Sequence, residues 1–182
     1  MRSGTGELHQ RVERRIDVLA RCEDRSAYAG VLSGFRSVYA PVERTLAGSP
    51  TTVAVLPDWP ARVKTPWLDE DLAALGVPTP DDVPAMELAG AAEIVGAAYV
   101  FEGATLGGAI VVRHLAARAS ELPRRFFGSY GDRRAPMWQS FRRYVEQFEQ
   151  RARPGEAEVN IAVVAARRTI LAIEAACTAR RA

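Results

Sequence analysis

The sequence predicts an all-α fold. Several long segments carry apolar residues at three- and four-residue spacing, the period of an amphipathic helix. No segment shows the clear apolar and polar alternation of a half-buried strand, and the β-like stretch 51–56 is short and has no partner. A chain of 182 residues is large enough to bury a sizeable core, so we expect one domain over 1–182.

Two helices are predicted in the first quarter of the chain. The first covers 5–20 with Thr5 as its N-cap, and the second covers 26–47 with Ser26 as a possible cap. Pro41 is expected to kink or interrupt the second helix, because proline removes a backbone donor and clashes with the preceding turn. The predicted buried stripes are Leu8, Val12, Ile16 and Val18 or Leu19 in the first helix, and Tyr28, Leu32, Phe35 and Tyr39 in the second.

Turn residues dominate the middle of the chain. Residues 48–64 are predicted to form a loop with one short turn near 58–62. A short helix then begins at Thr65, the predicted N-cap, and ends at Gly76. Its three acidic residues at 69–71 are explained better by capping and solvation than by a metal site.

Three further helices are predicted in the second half. The central helix covers 86–120, the next begins at Pro136, and the last covers 155–181. Apolar stripes mark the buried faces of the last two: Trp138, Phe141, Val145 and Phe148, and then Val159, Ala162, Val163, Ala166, Ile170, Ile173 and Ala176 or Cys177.

The central helix contains Gly103, Gly107 and Gly108 in its interior, where each glycine costs about 1 kcal/mol relative to alanine. Gly103 and Gly107 are four residues apart and therefore share a face. Two interpretations fit. The bare face lets a ligand approach the backbone closely, or it lets a second helix cross tightly.

Composition limits the function classes. The net charge of +2 gives no electrostatic argument for nucleic-acid binding. We find no apolar run of membrane-spanning length and no secretory signal, and we expect a cytoplasmic protein. Cys22 and Cys177 are far apart, lack the spacing of metal ligands, and are expected to be free thiols.

His9 lies beside the apolar stripe of the first helix, with Glu13 four residues later within reach. A histidine at such a boundary is commonly a structural residue. A histidine that binds a metal, however, often gives its second ring N–H to a carboxylate, and Glu13 is placed to accept it.

Two separate stretches resemble one family. The run Tyr-Val-Phe-Glu-Gly-Ala-Thr-Leu-Gly-Gly at 99–108 is similar to the distal helix of heme oxygenases, closest to the bacterial, biliverdin-producing branch that is often associated with phytochromes. The run Thr-x-x-Leu-His-x-x-x-Glu at 5–13 resembles the proximal helix of the same family. The two runs lie about ninety residues apart, so they are independent matches.

The resemblance implies heme b, with its iron, as both cofactor and substrate. His9 would be the axial ligand and Glu13 would orient it, while Gly103, Ala104, Thr105, Gly107 and Gly108 would form the catalytic face over the other side of the ring. The implied reaction opens heme with dioxygen to biliverdin, carbon monoxide and ferrous iron. Electrons would come from a ferredoxin or a similar reductase system, because the chain has no flavin or nucleotide fingerprint, and a bacteriophytochrome is a possible receiver of the product.

The resemblance also suggests other heme contacts and one departure. Phe101 would contact the heme, and Arg143, followed by Arg142, would pair with the propionates. His114 is turned away from the glycine face and is not expected to be a ligand. Where some members have an aspartate that organises distal water, this chain has Ala104, so proton delivery must use backbone groups, Thr105 or water held elsewhere.

Three alternatives remain. Ala104 motivates a heme-binding or sensor relative without catalysis. A di-iron oxidase on the same fold needs several histidine and glutamate ligands, and the chain has only two histidines. A thiaminase-type hydrolase needs a nucleophilic cysteine, for which only Cys22 and Cys177 are available.

Overall fold

The all-α prediction is confirmed. The computed structural model describes residues 2–151 and 156–179, and within these ranges it contains helices and no strand. The helices are α1 (Arg2–Ile16), α2 (Val18–Arg21), α3 (Arg25–Ala47), α4 (Pro50–Val55), α5 (Thr65–Ala74), α6 (Ala91–Arg118), α7 (Arg125–Gly128), α8 (Arg134–Arg151) and α9 (Glu156–Ala179). Short 3-10 turns at Trp59–Arg62 and Gly131–Arg133 lie between them.

Helix α9 packs against α6, α3 and α1 and joins them into one core. Glycines allow two of these crossings to be close. A Cβ on Gly96 of α6 would collide with the backbone of Ala162, and a Cβ on Gly34 of α3 would lie 2.7 Å from the Cα of Cys177. These glycines bring α6 and α3 close against α9, and α1 packs on α9 as well.

The first helix begins earlier and ends sooner than predicted. Helix α1 starts at Arg2, so Thr5 lies inside it and is not its N-cap. The helix stops at Ile16 because Asp17 adopts the left-handed conformation, with φ 42°. The carboxylate of Asp17 then accepts a hydrogen bond from the Ala20 amide and caps α2. The buried stripe is confirmed for Leu8, Val12 and Ile16.

Helix α3 is capped by Asp24, whose carboxylate accepts from the Ala27 amide at 2.6 Å, so the Ser26 cap is wrong. The helix is not interrupted at Pro41. Proline cannot donate to the Ser37 carbonyl, and the Val83 amide supplies that hydrogen bond instead at 3.0 Å. The proline-rich segment after α5 thus replaces the donor that the helix lacks.

The predicted loop at 48–64 contains a helix, α4, where the sequence shows only a β-like hexapeptide; the short turn near 58–62 is confirmed as a 3-10 turn. Thr65 lies inside α5 and does not cap it, because its hydroxyl donates to the buried Glu43 carboxylate at 2.6 Å. Gly76 ends that segment with φ 69°, as predicted.

Helix α6 begins at Ala91, five residues after the predicted start at 86, and stays helical through all three glycines. It also corrects the expectation about membrane-spanning runs. One 18-residue window within Ala91–Arg118 is long and apolar enough to cross a membrane, but 61% of it is buried inside the protein. Packing in the core accounts for this apolar character.

The last two helices agree with the predicted apolar stripes. Helix α8 starts at Arg134, two residues before Pro136. Helix α9 is described over Glu156–Ala179, so the predicted ends at 155 and 181 lie outside the described residues. Buried positions include Phe141, Val145 and Phe148 in α8, and Ala162, Ala166, Ile170, Ile173 and Cys177 in α9.

Candidate functional site

A cavity of about 370 Å³ lies between α1 and the glycine-bearing part of α6. It is partly open to solvent, and most of its lining is apolar. Helix α1 and its end supply His9, Val12, Glu13, Ile16, Asp17, Val18 and Leu19; α6 supplies Val100, Phe101, Gly103, Ala104, Thr105, Gly107, Gly108, Ile110 and Val111; the floor consists of Phe35, Tyr39, Lys64, Phe126, Phe127, Ser129, Ile170 and Ile173.

The α1 wall presents His9 to the cavity. Residues 9, 12, 13 and 16 share one helical face, which is why one amphipathic helix both anchors Val12 and Ile16 in the core and exposes His9 to the cavity. Burial lowers the pKa of His9, and the Glu13 carboxylate raises it by less. The imidazole is therefore held in the neutral form, the form that binds metals.

Glu13 lies beside His9 on the cavity wall, and its negative charge acts on the imidazole. Both side chains are described, and no hydrogen bond joins them in this structure. The orienting hydrogen bond from His9 to Glu13 stays a prediction.

The α6 wall is bare at two glycines. A Cβ placed on Gly103 or on Gly107 would meet no atom within 4 Å, although both residues line the cavity. Gly108 differs, because its Cβ would lie 2.5 Å from the Phe127 carbonyl oxygen of α7. For the Gly103/Gly107 face the interpretation as a tight helix crossing is therefore wrong, and the close approach of a ligand stays a prediction. The tight crossing is made at Gly108 instead, which the sequence analysis did not assign to it.

The two residues after Gly103 differ in exposure. Ala104 is solvent-exposed and offers the cavity only a methyl group. Thr105 is buried, and its hydroxyl donates to the Glu102 carbonyl at 2.7 Å. Thr105 also lines the cavity, and its hydroxyl oxygen keeps its acceptor capacity.

The cavity floor is aromatic. Tyr39 stacks on Phe101 with ring centroids 3.7 Å apart, and Phe126 packs edge-on against Tyr39 at 5.3 Å. The sequence assigned Phe35 and Tyr39 only to the core, but both also line the cavity. The Tyr39 hydroxyl is fully buried and has no hydrogen-bond partner among the described residues. An unpaired polar atom at a cavity wall is suited to a partner inside that cavity.

A buried polar network lies behind the α6 wall. Glu102 is fully buried and accepts hydrogen bonds from Arg62 at 2.6 Å, from Lys64 at 2.6 Å and from Tyr130 at 2.7 Å. Arg62 also binds Asp58 through two nitrogens. Sequence reasoning missed this network. Its one signal was that Lys64 is the only lysine in a chain with 24 basic residues.

Three residues discussed in the sequence analysis lie away from the cavity. Arg142 and Arg143 are exposed on α8, Arg142 lies 3.6 Å from Glu146, and neither lines the cavity. Their propionate role stays a prediction. His114 is half-buried near the core edge and is not among the lining residues, which agrees with its predicted orientation.

Comparison of the chain with models of known protein families identifies its family. A family model described as heme oxygenase matches residues 1–166. The chain belongs to the heme oxygenase family. No curated protein matches the chain significantly. Family membership supports a heme-degrading function. The matched residues include both walls of the cavity and the buried network behind the α6 wall.

The residues of the cavity fit heme. A flat ring needs a bare wall on one face and a neutral imidazole on the other, and Gly103 and Gly107 provide the first while His9 provides the second. The aromatic and aliphatic floor suits the apolar edge of a porphyrin.

The two alternative activities, a di-iron oxidase and a thiaminase-type hydrolase, find little support in the described residues. These contain no group of three or more histidine, cysteine, aspartate or glutamate side chains that could hold a metal ion, so a di-iron site has no ligand set there. Burial raises the pKa of Cys22 to about 11 and that of Cys177 to about 12. Thiols of this kind are inert, which argues against a cysteine nucleophile.

Proposed function

We propose that this heme oxygenase cleaves heme with dioxygen and external electrons to biliverdin, carbon monoxide and ferrous iron. One observation carries the proposal: His9 on α1 and the bare faces of Gly103 and Gly107 on α6 line the same cavity. Heme, when bound, supplies the iron that activates dioxygen and the ring that is opened.

The α1 wall holds and orients the substrate. His9 offers a neutral ring nitrogen, and burial keeps protons from competing for it near neutral pH. Glu13 stands on the same face, where its charge favours a more basic imidazole. The helix is rigidly placed because Leu8, Val12 and Ile16 are anchored in the core.

The α6 wall restricts the space above the ring. Without Cβ atoms at Gly103 and Gly107, the helix backbone itself forms the cavity surface. With heme bound, this backbone surface would limit the space left for a small ligand between the ring and α6. Gly103 and Gly107 would thereby orient that ligand along the wall.

Proton supply on the α6 side must use groups other than residue 104. Ala104 cannot hold a water, but Thr105 and Tyr39 both line the cavity, and the Tyr39 hydroxyl has no hydrogen-bond partner among the described residues. Each can bind a water, and the Tyr39 Oη–H can donate to it. We infer that ordered water between these two groups replaces the missing carboxylate.

Electrons must come from another protein, because the sequence has no nucleotide or flavin fingerprint. A ferredoxin or a similar reductase system is the proposed donor. Delivery of biliverdin to a bacteriophytochrome and a cytoplasmic location complete the proposal, supported by the resemblance of residues 99–108 to the phytochrome-associated branch.

The proposal is tested by adding hemin to the purified protein, followed by a ferredoxin-type or chemical reductant in air. We expect a Soret band on hemin addition and then its loss, with bile pigment and carbon monoxide as products. A Soret band that forms but is followed only by autoxidation, without bile pigment, contradicts catalysis. That result favours the heme-binding or sensor relative, for which the exposed methyl group of Ala104 is the specific observation.

A further inference from the structure

The only lysine of the chain is buried against the α6 wall. Lys64 is 1% exposed, and its ammonium donates to the Glu102 carboxylate, to the Tyr130 hydroxyl at 3.0 Å and to the Arg62 carbonyl at 2.8 Å. Burying a charge is costly unless it is fully hydrogen-bonded, and these three partners use all three ammonium protons. A leucine or methionine would fill such a core position at lower cost, so the charge itself calls for an explanation.

Charges around the cavity are unevenly placed. The acidic lining residues Glu13 and Asp17 are exposed and lie on the α1 side, whereas Lys64 is buried and lies beside α6. Glu102 itself is not among the described lining residues. The α6 side of the cavity therefore has a cationic residue in its wall and the compensating carboxylate behind it.

Hydrogen bonding favours the protonated form of Lys64, because its ammonium has three acceptors, one of which is the Glu102 carboxylate. Burial lowers the pKa of Lys64 and Arg62 adds to that shift, while Glu102 and Glu43 oppose it. Glu102 is shared with a second cation, Arg62, which is also paired with the partly exposed Asp58. Among the charged groups of this network only Lys64 lines the cavity, whereas the carboxylates of Glu102 and Glu43 do not, so the network turns its positive end toward the cavity.

We propose that Lys64 is a specificity-determining residue that makes the α6 side of the cavity favour small anionic ligands over neutral ones. The inference rests on the proposed binding of heme between α1 and α6. In a low-dielectric wall one unit charge acts strongly over several ångströms, because few waters screen it. Lys64 thus supplies by its charge, from within the cavity lining, a polar influence that the methyl group of Ala104 cannot supply.

The test compares an anionic and a neutral probe in hemin-loaded protein. Azide is titrated into the ferric complex and carbon monoxide into the ferrous complex, for the wild type, Lys64→Met and Tyr130→Phe. Lys64→Met keeps the stem and removes the charge, and Glu102 retains Arg62 and Tyr130 as partners. Tyr130→Phe is the matched control, because it removes a hydrogen bond from the same network without changing any charge.

We expect Lys64→Met to weaken azide binding on the order of tenfold and to leave carbon monoxide binding unchanged. Tyr130→Phe should leave the affinities for both probes close to those of the wild type. If Lys64→Met does not fold, Lys64→Gln replaces it, because the amide can still donate to Glu102.

Azide affinity that is unchanged in the neutral variant overturns the proposal. An equal loss of azide and carbon monoxide affinity overturns it too, since that shows distortion of the cavity. A wild type that does not bind hemin contradicts the proposed function itself, which separates the two failures.

Discussion

At the scale of single residues, the two histidines provide a matched pair for testing the axial ligand. His9 lines the cavity and is kept neutral by burial, whereas His114 lies outside the cavity. We expect His9→Ala to abolish the spectrum of the six-coordinate ferric heme complex, because no other described histidine reaches the cavity. His114→Ala should retain that spectrum. Absorption spectra of both variants with hemin check this, and an unchanged His9→Ala spectrum would sink the assignment.

The thiols give a second residue-scale prediction. Cys22 is 2% exposed, Cys177 is fully buried, and burial raises the pKa of both. Only the thiolate is nucleophilic, so both groups should be unreactive toward iodoacetamide at pH 8 in the native protein and should react fully in denaturant. Mass spectrometry after timed alkylation measures this. Rapid modification of either native cysteine would revive the hydrolase alternative.

Local spacing predicted His9 and Glu13 correctly as neighbours on one helical face, since the period of a helix depends only on sequence separation. Local spacing predicted the helix caps less well. Both Asp24 and Ser26 are residue types that can cap a helix. Asp24 caps α3 because its carboxylate accepts a hydrogen bond from the Ala27 amide.

At the scale of elements, the neighbouring glycines of α6 should respond oppositely to alanine. A Cβ on Gly107 meets open space, so Gly107→Ala should stabilise the apoprotein by up to about 1 kcal/mol through helix propensity. A Cβ on Gly108 lies 2.5 Å from the Phe127 carbonyl oxygen, so Gly108→Ala should destabilise it by about 1–3 kcal/mol. Thermal unfolding of the two apoproteins gives the signs directly.

Larger side chains extend this test to function. Gly103→Leu and Gly107→Leu should fold as apoproteins but lose turnover, since leucine would occupy the space along the α6 wall. Ring opening at the native rate in these variants would show that the glycine face serves packing alone.

The network around Glu102 connects α6 to the turn at Trp59–Arg62 and to α8 through Ser140, which accepts from Arg62 at 2.5 Å. Glu102→Leu leaves Arg62 and Lys64 without their shared buried carboxylate and should destabilise the apoprotein by about 3–5 kcal/mol. Glu102→Gln keeps an acceptor and should cost less. Urea unfolding of both variants measures the difference, and equal stability of Glu102→Leu and the wild type would show that these ion pairs contribute nothing.

Element boundaries were predictable where the chain carries its own signal and not where a distant partner decides. Gly76 ends its segment in the left-handed conformation that glycine favours, as predicted. Pro41 lies in an unbroken helix, and Val83, 42 residues later, donates to the Ser37 carbonyl that the proline leaves without a helical donor. Thr65 bonds to Glu43 instead of capping α5, again through a contact between different elements.

At the scale of the whole molecule, the two walls of the cavity were predictable and its floor was not. Each wall is one helix with a local sequence signal, which is an amphipathic pattern in α1 and a group of interior glycines in α6. The floor brings together residues from α3, α7 and α9, such as Phe35, Phe127 and Ile170, which only the packed fold places side by side. All three residues are also buried in the core. Their apolar side chains therefore give the same sequence pattern as core residues that do not line a cavity.

Heme is proposed to bind between His9 on α1 and the bare glycines on α6, both of which line the cavity. A crystal structure of the hemin complex is the decisive measurement. We predict that it shows the iron bonded to a ring nitrogen of His9, with the backbone of Gly103 and Gly107 in contact with the opposite face of the ring. Hemin bound elsewhere, or bound in this cavity without His9 as its ligand, would rule out this mode of binding.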